Sequence, residues 1–291
     1  MTRPLITQII EKLKDVRSFK SVADEFNMSS TTVIRIFDYV SYSNRPLSTV
    51  VSIDEFRGNT NGEKYQSIIT DPVGKKIIDI LPTRYLVDLK SYFSDLHTDD
   101  TKVFVSDMWS PYATVCKCFF RKARHVVDKF HVVRQVSWAF EAIRKQEQKK
   151  FSDYRRKYFK RSKSLLTKAY SKLTDNEKIQ IGIMLQSSEQ LLRAYVLKEG
   201  FYKIFYSKDR EEAKSKLNRW ILEADSSGIK KFEECAKTMM HWNSEILNYF
   251  DNRYTNGYTE GVNNKIKVIK RVSYGYRNFG RFRNRLLHIF S

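Results

Sequence analysis

Three short β-branched runs, STVVSIDEF (residues 48–56), KYQSIITD (64–71) and KKIIDILP (75–82), are separated only by the turn-forming stretches NTNGE and DPVGK. Runs of that length and spacing predict a three-stranded antiparallel meander. The chain then alternates. TRYLVDLKSYFSDL predicts a helix, TKVFVSD a strand, SPYATVCKCF a helix and ARHVVDKFH a fifth strand. A meander followed by alternating helix and strand predicts an α/β fold on a mixed sheet.

Flanking segments have a different period. From about Val132 to Tyr249 successive stretches such as SSEQLLRAYVLKEGFYKIFY and REEAKSKLNRWILEADSS are amphipathic with helical spacing, so a large all-α insertion interrupts the sheet. Before the sheet lies FKSVADEFNMSSTTVIRIFDYV (19–40), where Ala23 is small enough for two helices to cross. Asn27 suits a left-handed turn residue, and Met28 and Val33 can pack the second helix back. This is the spacing of a helix-turn-helix, although a plain helical hairpin shares it. Ser29 or Ser30 would cap the second helix, leaving Thr31, Thr32 and Arg35 to reach a DNA major groove. The expected organisation is a helix-turn-helix segment over 1–44, a hinge at SYSNRPLS, the first part of the α/β domain over 45–135, the helical insertion over 136–250, and C-terminal helices over 251–291 that complete the sheet domain.

Charge narrows the partners. The 291 residues carry a formal net charge of +20 with 14% aromatics, which favours a polyanion, nucleic acid foremost, over a small acidic substrate. Residues 121–170 hold 16 basic against four acidic side chains, and residues 261–291 hold eight basic and none acidic. Residues 51–120 instead hold ten acidic against eight basic. Cys116, Cys118 and Cys235 are too few and wrongly spaced for a zinc ribbon and fit a reduced interior. No apolar run approaches the roughly 18 residues needed to span a bilayer, so a soluble cytoplasmic protein without a membrane partner is expected.

Three acids stand out. Asp54 ends the apolar run VVSID and Asp107 ends VFVSD, and an uncompensated carboxylate at a buried strand tip is costly. Glu260, in TNGYTEGVNNKIKVIKR, is the last acid of the chain. Projected as a helix, Val262, Ile266 and Ile269 form a core stripe, while Asn264, Lys267 and Arg271 fall within about 40° of Glu260 on the other side. A divalent cation such as Mg2+ would compensate such carboxylates. Each residue also has a plainer reading: Glu260 suits the positive end of a helix dipole, Asp54 and Asp107 could be turn acids, and the basic stripe could be a solvated face.

The blocks VVSIDEFRGN, VFVSDMWSPY, VVDKFHVVRQV and TNGYTEGVNNKIKVIKRVSYGYRNFGRFRNRLL together resemble the DDE transposases of bacterial insertion sequences, specifically the ISL-three family. The resemblance implies a ribonuclease-H-like sheet with a helical insertion before the third acid. It implies Asp54, Asp107 and Glu260 as a catalytic triad holding two Mg2+ ions, with Mn2+ as a substitute. It further implies DNA cleavage and strand transfer at terminal inverted repeats, double-stranded DNA as partner, a homodimer or higher oligomer on DNA, and a place on the bacterial nucleoid. Asp128, His131, Trp109 and Asn264 are expected to support the site, and Lys267, Arg271, Arg277 and Arg281 to bind DNA, within cationic segments at 155–163 and 277–285. Tyr112 and Trp109 could stack on an extruded base or pack in the core. The family usually carries a cysteine-rich segment before the helix-turn-helix, so a shortened copy is expected. A non-catalytic DNA-binding remnant or regulator, and a nuclease that cuts without joining, are the competing functions.

Overall fold

The computed structural model describes residues 1–43 and 45–291. Asn44, in the stretch expected to be a hinge, lies outside the described residues, as does the side chain of Lys160. The chain divides into two compact units, residues 1–125 with 254–291, and residues 126–253.

The first unit opens with three helices, α1 (Arg3–Lys12), α2 (Phe19–Glu25) and α3 (Ser30–Phe37). Asn27 takes the left-handed conformation at φ 50° that the tight turn requires, and the Ser29 side chain accepts from the Thr32 amide to cap α3. Ile9, Leu13, Val22, Ala23, Val33 and Phe37 form the core of this trio. Helix α1 precedes the expected helix-turn-helix stretch; Pro4 in its first turn and the Ile9–Leu13 spacing both mark it as a helix.

Strands β1 (Val50–Thr60), β2 (Glu63–Asp71) and β3 (Lys76–Leu81) form the expected antiparallel meander, followed by α4 (Leu86–Ser94), β4 (Val103–Ser106), α5 (Ser110–Phe119) and β5 (Arg124–Val127). The sheet order is β3-β2-β1-β4-β5, with β1 and β4 parallel. This is an α/β, ribonuclease-H-like mixed sheet. Strict alternation along β1 sorts its side chains. Val51 and Ile53 join Phe104, Leu89, Phe93 and Val115 in a core with α4 and α5. Phe56 joins Ile68 and Ile80 in a second core under α14 (Gly257–Val272) and α15 (Phe279–Ile289), which supply Val262, Ile266, Ile269, Phe282 and Leu286.

The fifth strand is shorter than expected. Asp128 accepts a hydrogen bond from the Phe130 amide and caps α6 (Lys129–Gln148), so His131 is helical and not extended. The second unit continues through α7 (Asp153–Arg161), α8 (Lys163–Thr167), α9 (Asp175–Leu185), α10 (Glu189–Ile204), α11 (Arg210–Asp225), α12 (Lys230–His241) and α13 (Asn243–Asn252). Its core includes Phe140, Phe201, Trp220, Phe232 and Met239, all buried. Among the described residues no helix is long and apolar enough to cross a membrane.

Candidate active site

Asp54 lies on the β1 face that carries Ser52 and Phe56, under α14, with 7% of its surface exposed. Its Oδ1 accepts from the Glu55 amide at 2.8 Å and its Oδ2 from the Asn263 side-chain amide of α14 at 3.0 Å. Asn263 Oδ1 is buried and has no hydrogen-bond partner among the described residues.

The parallel ladder decides where Asp107 stands. Val50 pairs with Val103, Val51 with Phe104 and Ser52 with Val105, and Asp107, one residue beyond β4, has the same offset from Asp54. Continuing that register sets the two acids level on neighbouring strands, whose spacing is about 4.8 Å. Tyr112 lies close to both. Its fully buried hydroxyl is held well above the usual phenol range by burial first and by Glu55 next, with Asp107 and Asp54 adding to the effect.

The N-terminal turn of α14 is tied to the sheet by buried hydroxyls. Ser52 Oγ donates to Asn256 Oδ1 and lies 3.0 Å from Thr259 Oγ1, which is 2.7 Å from Thr70 Oγ1. All four side chains are fully buried. Glu260 follows Thr259 directly and precedes Asn263 by three residues, about 60° away around the helix. The third acid therefore sits between two residues that are both bonded to the strands, one of them to Asp54 itself. Its fixed place follows from these tethers, whereas the sequence projection saw only an acid in a first helical turn.

The other expected residues fall in several places. Asn264 is exposed and accepts from Lys267 Nζ at 3.0 Å, so Asn263, one position earlier, is the amide beside Asp54. Arg271 and Arg277 are exposed, and Arg281 makes a bidentate ion pair with Asp38 at 2.6 and 2.7 Å. Thr31 and Arg35 are exposed on α3, with Thr32 half-buried against the Ser29 cap. Trp109 is partly buried, edge-on to Tyr112 with a 4.8 Å centroid separation, and the Arg84 guanidinium covers it at 5.0 Å. Tyr112 has no exposed surface, so it packs in the core and cannot receive a base. In the second unit, Asp128 is the buried cap of α6, and His131 Nδ1 accepts from Arg134 at 2.7 Å. Burial, and then the Arg134 charge, lower the His131 pKa to about 4.

Two arginines of the C-terminal basic segment serve the core. Arg285 is fully buried, donates to the Asp15 and Arg17 carbonyls and lies over Phe19 and Phe37. Arg283 Nε donates to Asp79 Oδ1 at 2.6 Å, and Asp79 is 2% exposed. Neither is available to track phosphates along the whole of 277–285, because each neutralises or caps buried polar groups inside the first unit.

Chemically, the carboxylates of Asp54 and Asp107 on neighbouring strands, the Glu260 carboxylate on α14 and the buried Asn263 amide oxygen are each hard oxygen donors of the kind a divalent cation takes. Residues 51–286 match the model of a family described as transposase, and residues 1–41 match the helix-turn-helix domain of transposase family ISL3. The chain belongs to the ISL3 transposase family. It is similar to the transposase for insertion sequence element IS1001 of Bordetella parapertussis, with 27% identity over 234 residues, covering 78% of this chain and 57% of the relative. It is also similar to the transposase for insertion sequence element IS1557 of Mycobacterium tuberculosis, 27% identical over 177 residues that cover 52% of this chain and 39% of the relative. The ISL3-family chain thus spans roughly half the length of these curated relatives. Membership of a DDE family carries with it the use of a divalent metal.

Proposed function

We propose that this ISL3-family chain catalyses metal-dependent cleavage of DNA and strand transfer at the terminal inverted repeats of an insertion sequence. The observation that supports the reading is that Asp54 lies on β1 beside β4, the parallel strand that Asp107 directly follows, and is bonded through Asn263 to α14, the helix that bears Glu260.

Asp54, Asp107 and Glu260 would hold the metal, two Mg2+ ions in this reading with Mn2+ able to replace them. Two such ions, when bound, supply activation of a water or a DNA 3′-hydroxyl on one side of a phosphodiester and stabilisation of the leaving oxygen on the other. The chain's own part is positional. Asn263 fixes the rotamer of Asp54 by donating to Oδ2, the Ser52–Thr259–Thr70 hydroxyls fix the first turn of α14, and burial of the aspartate on β1 keeps competing water away.

The DNA partner is supported by charge and by the N-terminal helices. Thr31 near the capped start of α3 and Arg35 in its last turn are exposed, with Thr32 half-buried beside the Ser29 cap, on the helix that would meet base edges. Lys267 and Arg271 on α14, with Arg277 beyond it, would neutralise backbone phosphates next to the acids; Arg281 would add to them while holding Asp38. A homodimer or larger assembly on DNA belongs to the same reading.

The test incubates the purified chain with duplex DNA ending in the inverted repeat that flanks its gene, with and without Mg2+, beside Asp107→Ala. Nicking at the repeat boundary that needs Mg2+ and disappears in the variant supports the proposal. Binding without nicking turns the reading to a non-catalytic DNA-binding remnant, and nicking without joined products turns it to a nuclease.

A further inference from the structure

The turn between α14 and α15 is held rigidly and yet presents an aromatic ring wholly to solvent. Tyr274 is 98% exposed and takes the left-handed conformation at φ 54°, followed by Gly275 at φ 92°. On either side the backbone is fastened. The Tyr274 amide donates to the Arg271 carbonyl at 3.2 Å and the Gly275 amide to the Lys270 carbonyl at 2.9 Å. Ser273 Oγ and the Tyr276 hydroxyl are 3.0 Å apart, and the Arg277 carbonyl accepts from the Asn61 amide at 3.1 Å. The Tyr276 ring packs against Phe19 of α2 and Phe282 of α15, with centroid distances of 6.5 and 4.9 Å.

Beside this turn runs a groove of about 360 Å3 whose other wall belongs to the helix-turn-helix. Lys20 of α2 and Ile34 of α3 face Tyr274, Arg277 and Arg281 across it. On α3, Thr31, Ile34 and Asp38 lie three and four residues apart and so share one stripe. Asp38 at the end of that stripe is the residue gripped by Arg281. The stripe that begins at the exposed Thr31 therefore reaches the groove at Ile34.

The left-handed backbone at Tyr274 and the two bonds to Lys270 and Arg271 close the C-terminus of α14, as a helix cap does, but two features have no role in folding that the contacts reveal: the Tyr274 ring, wholly in solvent, and exposed cations on both walls of the groove. Together they suit a duplex polyanion. Cations on both walls neutralise phosphates, and a tyrosine ring held in advance of binding gives contact area with little entropy to lose. We infer that the Tyr274 turn and the groove beneath it form a second DNA-contacting surface, engaging the sugar-phosphate backbone of the same duplex that α3 enters. This rests on the DNA reading proposed above, and it makes recognition composite: one edge built by the helix-turn-helix, the other by the end of the helix that carries Glu260.

The experiment measures binding of the full chain, without Mg2+, to a fluorescein-labelled duplex bearing the flanking inverted repeat, across a salt series. Variants are Tyr274→Ala, Lys20→Ala, Arg277→Ala and Arg35→Ala, each with its melting temperature. Tyr274→Ala is expected to bind about five- to tenfold more weakly at unchanged salt dependence, since it removes contact area without charge. Lys20→Ala and Arg277→Ala are each expected to lower the slope of log affinity against log salt by about one. Wild-type affinity for Tyr274→Ala, with Arg35→Ala weakened, overturns the second surface and leaves the helix-turn-helix reading standing. Wild-type affinity for all four overturns both. Should Tyr274→Ala lower the melting temperature, Tyr274→Lys separates the roles, because added charge restores DNA affinity only where the side chain meets a phosphate.

Discussion

The hydroxyl chain beneath α14 has a direction that can be deduced, and Thr259→Val tests it. Asn256 Oδ1 can only accept, so the Ser52 hydroxyl hydrogen points to it. Ser52 Oγ must then accept from Thr259, and Thr259 Oγ1 must accept from Thr70. Valine keeps the shape of threonine but cuts this chain in the middle. Ser52 keeps its bond to Asn256 and loses a donor, whereas the Thr70 hydroxyl, fully buried, loses its acceptor. A typical bond contributes about 1 kcal/mol net and a buried orphan costs about 1–3 kcal/mol, so the single substitution should cost about 2–3 kcal/mol. Replacing Thr70 as well removes the orphan. Thr70→Val with Thr259→Val should therefore cost about 1 kcal/mol, less than Thr259→Val alone, a coupling opposite in sign to simple addition. Native-state hydrogen exchange on peptides from β1, β2 and the start of α14 reads the local opening free energy directly. A loss of about 2 kcal/mol corresponds to roughly thirtyfold faster exchange there. A single variant that exchanges like the wild type, or a double variant whose loss equals the sum of the two single losses, would refute the directed chain.

Two further predictions concern buried charge. Arg283→Met removes the cation beside Asp79, which is 2% exposed, and should cost about 3 kcal/mol in a urea melt, whereas Arg281→Met breaks a pair whose side chains are 44% and 36% exposed and should cost under about 1 kcal/mol. Equal losses for the two would show that burial is not what sets their value. His125 has its pKa lowered to about 4 by burial, and its Nε2 donates to Ser106 Oγ, whose own hydrogen goes to the Asp107 carbonyl. Because the folded pKa lies below the unfolded one, the unfolded chain takes up the proton first. The associated stability, up to about 3 kcal/mol, is fully present above pH ~6.5 and is lost as pH falls towards 4. Melting temperatures across that window should fall, and the fall should be shallower in His125→Gln; an identical profile in the variant would sink the assignment.

Much of the scaffold could be read in one dimension because the signals are local. The meander follows from β-branched runs and turn residues a few positions apart, and the helix-turn-helix from Ala23, Asn27 and the Ser29 cap, all within one contiguous stretch. Asp54 and Asp107 were legible for the same reason: each ends an apolar run, and a charge at the tip of a buried strand is anomalous wherever it lies. The end of the fifth strand was misplaced because VVD and the following KFH can extend or turn, and the choice was made by the Asp128 side chain capping its own helix.

What the chain could not disclose is which distant groups meet. The hydrophobic period of β1 says that Asp54 shares a face with Ser52 and Phe56, but only the parallel pairing with β4 sets it level with Asp107. Helical projection of α14 put Asn263 and Asn264 only one step apart, and packing against the sheet turned the first towards Asp54 and left the second in solvent. The basic residues at the C-terminus read alike in sequence, yet Arg285 fills the core while Arg277 faces outward. Periodicity is set by the backbone within a turn or two, whereas burial and partnership depend on surfaces brought together from more than two hundred residues away, as Ser52 and Asn256 are.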